Sequence, residues 1–134
     1  SCTALTTVKM GARVTTISSK AFYGCWKLTT VAFGKNVKTI GTLAFANCVS
    51  LRKLTIPANV TTIGTKAFCN DVKLVSFTIQ SQKLTSKTIG SKAFTNMGKN
   101  NYAKLTVKVP KNKVNTYKKL LRSKGLSTKA KIIK

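Results

Sequence analysis

Acidic residues are almost absent from this 134-residue chain: it has one, Asp71, with no Glu and no His, against 25 Lys+Arg, for a formal net charge of +24. That deficit excludes most side-chain catalysis. Paired carboxylates for general acid–base work, a Ser/His/Asp triad, a Cys/His dyad and a His- or carboxylate-rich metal centre cannot be assembled within the chain. Long apolar runs are missing too. None approaches the ~20 residues of a membrane-spanning helix, so no membrane insertion is expected, and the first residues show neither the charged nor the apolar part of a secretory signal. G-x-G-x-x-G, Walker-type and G-x-S-x-G patterns are also absent, so no cofactor, metal or catalytic residue is expected. What is there is 43% apolar residues, enough to bury the core of one domain despite the charge.

Those apolar residues repeat. Cys2, Cys25 and Cys48 recur every 23 residues, and Asp71 holds the next place. Leu5, Leu28, Leu51 and Leu74 keep the same step, as do Val14, Val37 and Val60. Ile17, Ile40 and Ile63 form a further series, and Phe22, Phe45 and Phe68 another; their fourth members, Ile89 and Phe94, are both displaced by three residues. One insertion explains both shifts, because QSQKLTSKT between Ile79 and Ile89 is three residues longer than PANVTT between Ile56 and Ile63. A period of this length marks a solenoid, in which a unit that cannot bury its own apolar face is covered by its neighbours. Equivalent residues then stack about 4.7–4.9 Å apart as ladders. The units CWKLTTVAFGKNVKTIGTLAF and CVSLRKLTIPANVTTIGTKAF turn Leu28, Val31 and Phe33, then Leu51, Leu54 and Ile56, inward. SKAFYG, TLAFAN, TKAFCN and SKAFTN read as a helical or 3₁₀ turn whose Phe fills each layer.

The pattern L-x-x-(V/L)-x-(F/I)-(P/G)-x-x-V-x-x-I-G-x-x-A-F-x-x-C resembles the BspA-type leucine-rich repeat, also called the Treponema pallidum type, most closely over Thr55–Phe68. The resemblance implies a leucine-rich-repeat solenoid of about four 23-residue units stacked in a right-handed coil over residues 1–110. It further implies a bacterial secreted or cell-surface protein that binds or adheres to other macromolecules. Asp71 and Met97 depart from the pattern where it has Cys. The opening SCTALTTVKM reads as mid-repeat, so more N-terminal sequence is expected.

Residues 111–134 read as a closing cap. In KNKVNTYKKLLRSKG, Val114, Tyr117, Leu120 and Leu121 share one helical face, Gly125 stands as the stop, and KAKIIK suggests a last strand. Such a cap is needed because the final apolar layer has no further coil to cover it.

The cysteine ladder is expected to hold free thiols, since stacked side chains aim the same way and give a poor disulfide torsion. Cys69, outside that ladder, reads as an incidental surface thiol, reactive only if Lys66 or Lys73 lowered its pKa.

The basic surface is the functional candidate. Residues 1–98 carry 13 of the Lys+Arg and residues 99–134 the other 12. An outward strand face of Lys9, Lys53, Thr55, Ser76, Thr78, Lys104 and Thr106, with Thr7, Thr30 and Ala32, offers hydroxyl and ammonium donors to sulfate, phosphate or carboxylate oxygens. Lys20, Lys66 and Lys92 form a basic stripe interrupted by Leu43, and Lys118, Lys119, Arg122 and Lys124 a basic cap. The 22 Lys against 3 Arg suit diffuse charge more than bidentate reading of bases. The expected function is therefore non-catalytic binding of a host protein, glycan or wall polymer. A structural spacer or wall-association domain is the alternative, and nucleic-acid binding ranks lower because the aromatics lie mainly on inward ladders.

Overall fold

A computed structural model describes residues 2–134. Its strands are β1 (Thr7–Lys9), β2 (Thr16–Ile17), β3 (Thr30–Ala32), β4 (Thr39–Ile40), β5 (Lys53–Ile56), β6 (Thr62–Ile63), β7 (Ser76–Ile79), β8 (Thr106–Lys108) and β9 (Lys131–Ile133), with one α-helix, α1 (Val114–Ser123). All pairings are parallel and follow the repeat, with Thr7 beside Thr30, Thr16 beside Thr39 and Lys53 beside Ser76. Six strands, β1, β3, β5, β7, β8 and β9, make the first face of the solenoid. The second face is β2, β4 and β6, extended by a bridge from Ile63 to Ile89.

The third face differs from the expected helical turn. Lys20, Leu43, Lys66 and Lys92 all have left-handed backbone, as do Gly24, Asn47, Asn70 and Asn96. Amide direction therefore alternates: Ala21 and Tyr23 donate locally, to Ser18 and Lys20, while Phe22 and Gly24 donate to Ala44 and Ala46 of the next coil. A helix would keep every bond local. Here half the donors join coils, so the turns form a third hydrogen-bonded ladder. Asn is the residue other than Gly that best tolerates this backbone, and its amide adds a side-chain ladder. Asn70 Nδ2 donates to Asn47 Oδ1, and Asn96 Nδ2 to Asn70 Oδ1, each at 2.8 Å. Where the coils turn between the second and third faces, a Cβ on Gly64 or Gly90 would overlap the backbone of Thr42 or Thr65. Only glycine allows that approach.

Inside, Phe22, Phe45, Phe68 and Phe94 form the expected spine, with nearly parallel neighbouring rings 5.1, 5.7 and 6.2 Å apart. Full burial of Phe45, Phe68 and Phe94 contributes roughly 1.5–3 kcal/mol each, with stacking adding about 0.5–1.5 kcal/mol per pair. Helix α1 buries Tyr117, Leu120 and Leu121 over the last coils and ends at Gly125, where Leu126 N–H returns to the Leu121 carbonyl. The inserted loop has a purpose here. Tyr117 Oη donates to the Ser81 carbonyl at 2.8 Å and accepts the Leu84 N–H at 3.2 Å, while Asn112 Nδ2 donates to Gln82 Oε1 at 2.9 Å.

The free-thiol ladder is corrected at its first step: Cys2 and Cys25 are joined by a disulfide, with Cα atoms 5.1 Å apart. Cys2 lies in the first coil and is only half-buried, whereas Cys25 and Cys48 are fully buried. One position further in, Cys48 keeps the expected state, a buried free thiol whose Sγ donates to the Phe22 carbonyl.

Candidate binding surface

Alternation along each strand sends one set of side chains into the core and the other outward, and parallel register converts the outward set into rows. Lys53, Ser76, Thr106 and Lys131 form one row, and Thr55, Thr78, Lys108 and Ile133 the next. Thr7 with Thr30, and Lys9 with Ala32, make the corresponding pairs on the first two coils. Lys104 closes a 3₁₀ segment just before β8 instead of joining a row; Lys108 and Lys131 occupy the rows and were missed. The alternation that gave Thr106 also pointed to Lys108.

The strand face is interrupted once. The sheet β1–β3 and the sheet β5–β7–β8–β9 are separate, and no backbone hydrogen bond joins β3 to β5 among the described residues. Pro57 stands at this seam: one coil later Gln80 N–H donates to the Ile56 carbonyl, and the equivalent donor toward Phe33 would be Pro57, which has no N–H. The other two faces stay bonded across the same coils, through Thr39–Thr62 pairing and the Leu43 N–H to Thr65 carbonyl bond. The result is a one-sided cleft of about 410 Å³, lined by Thr29, Thr30, Val31, Arg52, Lys53, Leu54 and Thr55. It brings Lys53 and Thr55 together with Arg52 beside strand edges that carry unpaired backbone groups.

Two further basic areas lie off this face. Lys20, Lys66 and Lys92 share the left-handed position of the turn ladder, which holds their side chains outward; Leu43 breaks the stripe. On the cap, Lys119 lines a cleft of about 660 Å³ between α1 and the inserted loop, with Leu84, Thr85, Ser86, Lys113 and Thr116 among its walls. Lys118, Lys119 and Arg122 edge a neighbouring hollow, while Lys124 follows the helix and its carbonyl accepts the Phe94 N–H. The three areas do not converge on one point.

The electrostatics are one-sided because the only acidic side chain is hidden. Asp71 is fully buried; Oδ1 accepts the Cys48 N–H at 2.9 Å, and Oδ2 has no hydrogen-bond partner. Burial raises its carboxyl well above the ordinary value, against the opposing pull of that N–H. No carboxylate side chain therefore competes for any surface lysine. Cys69 is half-buried, and burial raises its thiol pKa; Lys66 and Lys92 pull the other way without reversing it. The second lysine beside it is Lys92, not Lys73, and no activated thiol results.

Parallel coils with apolar strand ladders and one patterned outer face define a leucine-rich-repeat solenoid, an architecture that serves as a macromolecule-binding module. The chain belongs to the BspA type leucine rich repeat region family, whose profile matches residues 1–121 in six copies. A leucine-rich repeat protein from Bacteroides ovatus is similar over 98% of this chain and 30% of its own, with 28% identity and a TM-score of 0.74. The pneumococcal vaccine antigen PcpA shares the fold over 96% of this chain and 35% of its own, with 22% identity and a TM-score of 0.63. The chain thus spans about a third of the length of either structure. No curated protein matches it. No helix is long and apolar enough to cross a membrane among the described residues.

Proposed function

We propose that this chain is a non-catalytic binding module of a secreted or cell-surface protein, and that its strand face takes up an anionic polymer such as an acidic host glycan or a wall polymer. The observation that carries this reading is the pair of rows on the strand face. Lys53, Ser76, Thr106 and Lys131 beside Thr55, Thr78 and Lys108 present ammonium and hydroxyl donors one rung apart, with no acidic side chain among them. Lys9 and the Arg52–Lys53 cleft extend the face, while the Lys20–Lys66–Lys92 stripe and the basic cap of residues 111–134 raise the general positive field. Family membership favours a macromolecular partner, and the disulfide favours an oxidising compartment outside the cytoplasm.

Affinity of this kind falls with salt, because exposed charges more than a Debye length apart are screened, about 10 Å at 0.1 M. Retention on a heparin column at low salt, lost on raising the salt and weakened in a Lys53→Ser/Lys108→Ser/Lys131→Ser variant, is the expected result. Retention that resists high salt, or is unchanged in that variant, overturns the assignment to the strand face. A spacer or wall-association role is the second reading, favoured by the crowding of 12 of the 25 cations into residues 99–134. It is supported instead if no polyanion is retained at low salt.

A further inference from the structure

We infer that the corner formed by Lys20, Tyr23, Trp26 and Lys27 is a second, local site that stacks an acidic sugar residue. The inference rests on the anionic-polymer reading for the charge of the ligand, but uses different residues. Trp26 and Tyr23 are the two large apolar side chains exposed among the described residues, at 48% and 45%. They interrupt the repeat. One period to either side of Trp26 stand Thr3 and Val49, and the place of Tyr23 is held by Ala46 and Cys69 in the following coils. The indole therefore rises above smaller neighbours in both flanking coils.

Lys27 holds its ammonium 4.8 Å from the Trp26 ring centroid, and Lys20 and Tyr23 line an adjoining cleft of about 490 Å³. The Lys27 ammonium lies over the indole face, so stacking of the apolar C–H face of a pyranose on that face requires the flexible lysine to swing aside, where it meets a carboxylate or sulfate on the same sugar. Backbone at the corner is fixed in advance. The Cys2–Cys25 disulfide anchors it from one side, Gly24 N–H donates to the Ala46 carbonyl at 2.9 Å, and Ser50 Oγ donates to the Trp26 carbonyl at 2.6 Å. A preordered site loses less entropy on binding.

Single-stranded nucleic acid also stacks on aromatics beside lysines. Two observations favour the sugar. The disulfide lies beside the corner, as expected of a protein in an oxidising compartment, and only two large aromatics are exposed among the described residues where a nucleic-acid track needs a run of successive platforms.

Trp26 is the only tryptophan, so its emission reports this corner directly. The oxidised chain is titrated with a heparin-derived hexasaccharide, with maltohexaose and with a single-stranded oligothymidylate, by fluorescence and by calorimetry. A saturable change of Trp26 emission with the acidic hexasaccharide is expected, with maltohexaose at least about tenfold weaker. Trp26→Ala and Lys27→Ser should each weaken the hexasaccharide about fivefold or more, with Tm unchanged because both side chains are exposed. Calorimetric binding of the hexasaccharide with a silent Trp26 and an unaffected Trp26→Ala variant overturns the corner and leaves the anionic-polymer reading standing. No binding at low salt overturns both. Equal response to maltohexaose overturns the acidic specificity, and equal or tighter oligothymidylate binding overturns the saccharide assignment.

Discussion

The first coil and the later ones are built from the same repeat, yet they are not equally covered. Leu51, Leu54, Ile56, Val60 and Phe68 are buried to 2% exposure or less, whereas their counterparts Leu5, Val8, Met10, Val14 and Phe22 are only partly buried. The early strand face is a separate two-stranded sheet; the later one has four strands and is closed by α1. An inward-facing residue in a solenoid is buried only if coils lie on both sides of it, so stability resides in interfaces between coils. The early half compensates covalently, through Cys2–Cys25, and it alone displays large aromatics to solvent.

The sharpest way to break this contrast is to empty the spine at two places. Phe68→Ala, flanked by Phe45 and Phe94, should cost about 3–5 kcal/mol, whereas Phe22→Ala, at a side chain that is only partly buried, should cost about half as much or less. Urea denaturation of both variants measures the difference, and equal losses would refute unequal halves. Reducing the disulfide should cost about 2–4 kcal/mol at most, felt as faster amide exchange in residues 2–30 while β7 and β8 keep their protection.

In the later half, Asn70→Ala should cost about 1–2 kcal/mol in thermal unfolding, since it removes the amide ladder and leaves alanine in a left-handed backbone. Asn70→Gly removes the same ladder without that strain and should cost less. The smallest effect is Asp71→Asn, a gain of about 1 kcal/mol at neutral pH. Burial raises the folded pKa of Asp71 above its unfolded value, so its contribution is fully present below about pH 4 and is lost as pH rises through the raised value. Lacking His and Glu, the chain has no other side-chain group that ordinarily titrates between about pH 4 and 8. The wild-type denaturation midpoint should therefore fall across that window, and that of Asp71→Asn should stay flat.

Translation along the solenoid was legible in the residues because ladders make period and register the same thing: the leucine, valine, isoleucine and phenylalanine series placed the core before any coordinates. Direction of hydrogen bonding was not legible. Lys20, Leu43, Lys66 and Lys92 read as helical although their backbone is left-handed, and the accompanying Asn47–Asn70–Asn96 series, which keeps the shared displacement, was the available sign. Local departures escaped for another reason. A repeat describes an average coil, so it said nothing of the Cys2–Cys25 bond, nor of the break between β3 and β5. Of the candidate surface, alternation reached the strand rows and offered Lys108 beside Thr106, whereas Arg52 depends on how coils separate and Lys131 on where the last strand pairs.

Tyr117 and the inserted loop fix where the helix docks. The tyrosine hydroxyl finds its two backbone partners at Ser81 and Leu84, in the connection that is three residues longer than its counterpart one coil earlier. The loop acts as an address written into one coil: the helix is set in register by a feature that the shorter connection of the preceding coil does not offer.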